Sequence, residues 1–341
     1  MNSFKTVFFE PTFSHVYIEE KALQHRVTQQ ILQKLPQAKR IVIGHYKDVF
    51  CRSRQMVRLQ KKSPKLILAM RESACVYEGA KPCQSFGHTH FYYTSSVMNC
   101  LYDCEYCYLQ GLYPSANLVV FVNLEETFHQ VEQLLDKHPL YLCVSYDTDL
   151  LGLEPMLGYV RRWIAFAAAY GNLTIEIRTK SANYEKIADL LPQKNVILAW
   201  TLSPQNIAEQ YEHGTATLAA RLQNAAAAAK DGWKVRLCFD PVLWQKDWRE
   251  QYRELITETF QTISPNNVLD CSIGQFRAAK DALKRMRKNR PDSALLHYPY
   301  QLQNGIYQYG QACAEEMMEQ MKRWVEAYLP PEKIFLWQGE E

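Results

Sequence analysis

The segment Ser96-Val-Met-Asn-Cys100-Leu-Tyr-Asp-Cys104-Glu-Tyr-Cys107-Tyr-Leu-Gln-Gly111 sets three thiols at spacings of three and two intervening residues. Three thiolates so spaced can wrap one face of a cubane iron–sulfur cluster and leave one iron open to bind a second molecule. A structural zinc wants four ligands. His88 or His90 stands near enough in sequence to supply the fourth, so counting alone leaves zinc open. The usual zinc pairs are spaced differently, which favours the cluster. Left unliganded, three thiols together would be an oxidation liability.

On either side of this segment the chain alternates. Phe91 to Val97 reads as a strand running into the cysteine loop, and Leu124 to Lys137 carries Leu124, Phe128, Val131, Leu134 and Leu135 on one helical face. Strands are expected at 140–145, 173–179, 196–202, 234–242 and 267–273. Helices are expected at 155–170, 183–191, up to Lys230, at 248–262 and at 276–288. Six strands separated by helices indicate a parallel sheet of βαβ units, and six units fit an open barrel better than the closed eight-stranded form. The fold expected is α/β: a partial (β/α)6 TIM-type barrel at 89–290, an N-terminal α/β extension at 1–88 and a C-terminal helical and strand segment at 291–341. In the extension, 27–35 reads as a helix stopped by Pro36, with strands at 41–44 and 66–70. In barrels of this kind the functional loops follow the carboxyl ends of the strands, which is where the cysteine loop sits.

Composition narrows the class. The chain has 341 residues, 47% hydrophobic and 22% charged, the balance of a folded globular protein rather than a disordered one. A net charge of +3 does not by itself imply a polyanion partner. No apolar run approaches the length of a membrane span, and the first residues lack a signal-peptide core, so a cytosolic protein is expected. In a reducing compartment ten cysteines do not argue for disulfides. The scattered ones (Cys51, Cys75, Cys83, Cys143, Cys238, Cys271, Cys313) are expected to be buried as small hydrophobes.

Cys-x-x-x-Cys-x-aromatic-Cys, with Tyr106 at the aromatic position, resembles the signature loop of the radical S-adenosylmethionine (SAM) superfamily. That resemblance implies a [4Fe–4S] cluster on Cys100, Cys104 and Cys107, with SAM bound at the open iron and cleaved by one electron to a 5′-deoxyadenosyl radical. It also implies an electron donor such as ferredoxin or flavodoxin. More closely, the chain is similar to the spore photoproduct lyase family, whose members reverse the thymine–thymine adduct that ultraviolet light makes in spore DNA. The likeness lies in Val16-Tyr-Ile-Glu-Glu-Lys-Ala-Leu, in Cys104-Glu-Tyr-Cys-Tyr-Leu-Gln110, in Val122-Asn-Leu-Glu-Glu126 and in Asp149-Leu-Leu-Gly-Leu-Glu154. Weaker echoes are Arg178-Thr-Lys180, Pro241 and Lys333-Ile-Phe.

The resemblance implies cofactor contacts for Tyr106, Thr148, Lys180 and Thr201, and a place in a radical relay for Tyr108. It also exposes a departure. The family has a hydrogen-donating cysteine three residues before the position of Asp149, and here that residue is Tyr146. Tyr146 could donate hydrogen itself, or Cys143, Cys238 or Cys271 could replace the missing thiol. Cys143 lies an odd number of residues away, on the opposite face unless a turn intervenes. A family member with another substrate, or a metal-bearing nucleic-acid-binding protein, are the competing expectations. For damaged DNA as partner, the basic surfaces to consider are 61–65 and a helix with Lys280, Lys284, Arg285, Arg287, Lys288 and Arg290. Tyr298, Tyr300, Tyr307 and Tyr309 follow that helix, where the family has a DNA-facing hairpin.

Overall fold

A computed structural model describes residues 12–79 and 83–337. Its main sheet holds β1 (Phe91–Thr94), β2 (Leu140–Cys143), β3 (Leu173–Thr179), β4 (Val196–Thr201), β5 (Lys234–Val242), β6 (Val268–Gln275) and β7 (Ile334–Leu336). These lie side by side in chain order and run parallel, while Val76–Glu78 adds an antiparallel strand beyond β1. Helices Leu124–Leu135, Tyr159–Ala168, Leu218–Lys230 and Trp248–Thr262 fall between successive strands. β4 is buried along its whole length, as a strand covered on both faces must be. β3 shows the two-residue period instead: Ile175 and Ile177 join the apolar core, while Glu176 and Arg178 line the central cavity.

A second sheet packs beside it, in the order Lys39–Ile43, His15–Glu19, Leu66–Ala69, Leu118–Phe121, Val97–Met98. Its membership does not follow the expected division at residue 88. Val76–Glu78, before that point, belongs to the main sheet, and two strands after it belong to the small one. Likewise β7, beyond residue 290, completes the main sheet. The expected strand over 91–97 is therefore two strands, β1 in one sheet and Val97–Met98 in the other.

Other expected elements change for local reasons. The helix expected at 155–170 is two, Leu150–Leu157 and Tyr159–Ala168, because Gly158 takes a left-handed φ of 66° between them. Asp149 caps the first by accepting from the Gly152 amide at 2.8 Å. Glu154 accepts from the Val160 amide at 2.7 Å at the start of the second. At 183–191 only a single 3-10 turn forms, Tyr184–Lys186. Tertiary bonds hold it: Asn183 donates to the carbonyls of Leu151 and Gly152, and the Tyr184 amide to Asn224. The helix expected at 276–288 begins later, at Lys280, since Arg277–Ala279 pairs antiparallel with Ile306–Gln308. That strand in turn pairs with Gln301–Gln303 across an Asn304–Gly305 turn, both residues at positive φ.

Candidate active site

A cavity of about 600 Å³ opens at the carboxyl ends of β2 to β6. All nine residues expected to act there line it: Cys100, Cys104, Cys107, Tyr106, Tyr108, Tyr146, Thr148, Lys180 and Thr201. The fold explains why residues so far apart in sequence meet. The cysteine loop follows β1, Tyr146 and Thr148 follow β2, Lys180 follows β3, and Thr201 ends β4. Parallel strands in one sheet deliver all these ends to the same face.

The cysteine loop is held from several sides. Lys61 donates to the carbonyls of Cys100 and Tyr102, at 3.2 and 2.8 Å. Gln110 donates to the Cys104 carbonyl at 2.6 Å, and Asp103–Cys104 pairs antiparallel with Glu212–His213. Arg290 forms an ion pair with Asp103 and reaches Gln110 Oε1 at 3.1 Å. Helix Leu109–Leu112 lies against helix Lys280–Asn289 so closely that a Cβ on Gly111 would stand 2.7 Å from Ala282.

Whether this loop suits a cluster can be judged from the thiols themselves. Burial pushes Cys100 up to about 12, with Asp149 and Cys107 adding to it, and burial also raises Cys104 and Cys107. Thiols in such a place ionise readily only against a cation, which iron supplies. Among the described residues, no three His, Cys, Asp or Glu side chains converge as ligands of a single ion. Zinc holds sulfur at about 2.3 Å and needs that convergence, whereas a cubane holds its thiolates on separate irons. The histidines weighed as a fourth ligand lie elsewhere: His88 stacks on Tyr141 and His90 on His138, with ring centroids 4.4 and 3.8 Å apart. The residues present fit an iron–sulfur cluster better than zinc.

Around the thiols the polar groups sort into fixed and unpaired. Tyr106 donates its hydroxyl to Glu212, which also accepts from Ser203 at 2.8 Å and from Arg221 at 2.5 Å, all of it buried. The hydroxyl of Tyr106 is thus committed within this buried cluster, while the residue lines the cavity. Lys180 Nζ lies 5.4 Å from the centre of that ring. Asp149 ties two strand ends together, accepting from Thr179 Oγ1 at 2.8 Å and from the Lys180 amide at 2.7 Å. In contrast, Thr148 Oγ1 and Gln275 Oε1 are buried at the cavity wall with no hydrogen-bond partner. Orphaned polar atoms of this kind mark where a polar ligand belongs.

Beneath the cavity lies a buried ionic network. Arg236 reaches Glu176 and Tyr141, each at 2.5 Å, and both oxygens of Asp270 at 2.5 and 2.8 Å. Burial works against the charge of Glu176, yet Arg178 and Arg236 hold its pKa at about 2. Arg178, 3.0 Å from Glu176, extends this charge to the cavity wall.

Several expectations for the remaining residues change. β2 ends at Cys143 and a turn follows, so Cys143 and Tyr146 line the same cavity in spite of their odd spacing. Cys238 and Cys271 are buried and do not line that cavity. Cys75 is also buried, but Cys51 is exposed and Cys83 and Cys313 are half-buried, against the expectation of burial. Cys83 lines the cavity, with its sulfur 3.2 Å from the Tyr146 hydroxyl. In the sequence it stands alone and gives no sign of this. The 61–65 stretch is not a free basic face, because Lys61 is committed to the cysteine loop and Lys65 bonds Ser14 and Ser63. On helix Lys280–Asn289 the residues Lys280, Lys284 and Lys288 are exposed, while Arg287, and Arg290 just after the helix, bond backbone carbonyls. Tyr300 and Tyr309 are core residues, and Tyr298 and Tyr307 are half-buried.

A three-cysteine loop over the carboxyl ends of a parallel sheet is the arrangement of a radical SAM enzyme. The family model described as "Spore photoproduct lyase" matches residues 9–337. Spore photoproduct lyase of Geobacillus sp. (strain Y412MC61) is 21% identical over 336 residues, covering 94% of this chain and 96% of the relative. That of Bacillus subtilis (strain 168) is 21% identical over 338 residues, with the same coverage. A solved spore photoproduct lyase variant with bound AdoMet and dinucleoside spore photoproduct superposes with a TM-score of 0.81 at 19% identity, covering 96% of this chain and 99% of that one. The chain belongs to the spore photoproduct lyase family, and it is accordingly a radical SAM lyase. Among the described residues no helix is long and apolar enough to cross a membrane.

Proposed function

We propose that this enzyme repairs the spore photoproduct in DNA, working in the cytosol with a ferredoxin or flavodoxin as electron donor. The observation that carries the reading is a single cavity, in a chain of this family, that brings the cysteine loop together with Thr148, Lys180 and Thr201. Strands β1 to β6 and their helices are read as a partial (β/α)6 barrel, left open, with β7 and Val76–Glu78 added at its two edges. When bound, the cluster and SAM supply a 5′-deoxyadenosyl radical that takes a hydrogen atom from a methylene of the lesion.

The protein's part is to hold, orient and seclude. Cys100, Cys104 and Cys107 hold the cluster. Lys180 offers a cation to the carboxylate of SAM, and Thr148 and Thr201 offer hydroxyls. Tyr108 is oriented by bonds from its hydroxyl to the Tyr146 carbonyl at 2.9 Å and to Asp147 at 3.0 Å. Apolar and aromatic walls, among them Leu109, Phe276 and Ile306, keep water from a reactive radical. Lys280, Lys284 and Lys288 form a ridge suited to DNA phosphates near the cavity mouth, which Asp281 and Arg285 of the same helix help to line.

Anaerobic reconstitution followed by dithionite, SAM and a synthetic spore-photoproduct dinucleotide tests this. The expected product is the repaired thymine dinucleotide, with detectable 5′-deoxyadenosine as the mark that SAM is cleaved. Iron and sulfide uptake without any 5′-deoxyadenosine would sink the enzymatic reading. Cleavage of SAM with the lesion left intact would sink the substrate.

A further inference from the structure

The residue that replaces the family's hydrogen-donating cysteine, Tyr146, is a phenol, and a phenol gives hydrogen to a carbon radical more slowly than a thiol does. The cavity nevertheless holds a thiol beside it. Cys83 Sγ is 3.2 Å from the Tyr146 hydroxyl, half-buried and on the cavity wall. Tyr146 is held in place by Tyr93, whose ring is stacked on it at 4.1 Å, and its ring lies 5.7 Å from that of Tyr108. Cys83, Tyr146 and Tyr108 therefore make a continuous row from one wall of the cavity to the cysteine loop. Of the other cysteines, Cys238 and Cys271 do not line the cavity, and Cys143, which does, is buried at the end of β2 with 7% exposure and is not bonded to Tyr146 as Cys83 is.

We propose that Cys83 is the hydrogen donor of this enzyme, a catalytic residue brought in from a different loop, with Tyr146 restoring its hydrogen. The inference rests on the repair reading above. After the cross-link bond breaks, the thymine left with an unpaired electron on its methylene carbon takes a hydrogen atom from Cys83. The S–H bond breaks, a C–H bond forms, and the methylene becomes the thymine methyl. The thiyl radical then takes the hydrogen atom of the Tyr146 hydroxyl, so S–H re-forms and a neutral tyrosyl radical remains. A tyrosine phenol carries its hydrogen at neutral pH in any case, and burial, with Cys83 beside it, raises the pKa of Tyr146 further. The cycle closes when the tyrosine recovers, through Tyr108, the hydrogen atom first removed from the lesion and carried meanwhile by 5′-deoxyadenosine. Hydrogen atoms balance without an external oxidant or reductant.

Isotope transfer in D2O, combined with alkylation, tests the assignment on the reconstituted full-length enzyme. With the spore-photoproduct dinucleotide, wild type should place deuterium in the methyl group of the released thymine. Cys83→Ala should still form 5′-deoxyadenosine, while thymine released per 5′-deoxyadenosine falls at least about tenfold and the deuterium label is lost. Cys83→Ser, which keeps the size and the contact with Tyr146 but has a stronger bond to hydrogen, should behave the same way. Equal iron content in both variants and in a Cys51→Ala control establishes that the fold is kept. Before any reductant is added, the dinucleotide should protect Cys83 from iodoacetamide and leave exposed Cys51 unprotected. Label retained in Cys83→Ala means that Tyr146 donates directly, and label lost only in Cys143→Ala means that Cys143 does; either result overturns the assignment. Equal alkylation of Cys83 with and without dinucleotide also overturns it, since the donor must touch the lesion. Wild type that cleaves SAM but releases no thymine removes the repair reading, and this inference with it, whereas repair by wild type with unchanged behaviour of Cys83→Ala removes this inference alone.

Discussion

Replacing Gly111 by alanine should weaken the enzyme at the joint between the cysteine loop and helix Lys280–Asn289. The added Cβ would meet Ala282 Cα, Cβ and carbonyl oxygen, all at 2.7 Å, where ordinary contact begins at 3.4 Å. Two of those three atoms are backbone, so no side chain can swing aside, and the two helices must part by about 0.7 Å. Overpacking of this kind costs about 1–3 kcal/mol, which for a chain of this size lowers Tm by about 1 to 4 °C. The damage should not stay local. Arg285 bonds the Gly111 carbonyl, and Arg290 of the same segment holds Asp103 and Gln110. Moving the helix therefore loosens the grip on the loop between Cys100 and Cys107. Thermal unfolding and iron content after anaerobic reconstitution measure the two effects. Gly171→Ala is the matched control, because a Cβ there meets nothing within 4 Å. If Gly111→Ala and Gly171→Ala show the same Tm and the same iron content, the tight joint is not what positions the loop.

Other outcomes follow from the charges. The pKa of Glu176 is depressed to about 2 in the fold, from an ordinary value of 4.5. Its contribution is therefore complete above pH 4.5 and is lost as pH falls through the folded value, to the extent of about 3 kcal/mol. Acid titration of the cluster-free protein should accordingly show a flatter loss of stability in Glu176→Gln than in wild type, and equal slopes would remove Glu176 from the account. Substituting Lys280, Lys284 and Lys288 together by alanine should weaken binding to duplex DNA and reduce the slope of log K against log salt by about 2 to 3. Repair of the isolated dinucleotide should be unchanged, and a slope unchanged in filter-binding titrations would place the DNA elsewhere.

The cluster loop and the parallel sheet were legible because both are short-range signals. The cysteine spacing is local, and β4 is apolar from Val196 to Trp200, a run that no surface strand would carry. The residues after each strand were legible for a related reason, since parallel order fixes which ends meet. What was not legible depends on partners distant in the chain. Leu118–Phe121 is fully buried only because Leu66–Ala69 and Val97–Met98 flank it, and nothing in those four residues says which sheet they join. The segment 183–191 reads as a helix until Asn224, Leu151 and Gly152 claim its first residues. Glu212 and Arg221 look like an ordinary surface pair nine residues apart, yet they are buried and fix the Tyr106 hydroxyl. Cys83 is the extreme case, a single thiol among polar residues whose neighbour Tyr146 lies 63 positions on.

The exchange of strands between the two sheets also bears on how the chain could be shortened. A version beginning at residue 89 would lack Leu66–Ala69, leaving Leu118–Phe121 as a bare, wholly apolar edge with the backbone groups on that side unpaired. Such an edge invites pairing with other chains. The same cut would strip Lys61 from the carbonyls of Cys100 and Tyr102. A trimmed catalytic half should aggregate before it could be assayed, which ties the inheritance of the redox loop to that of the small sheet beside it.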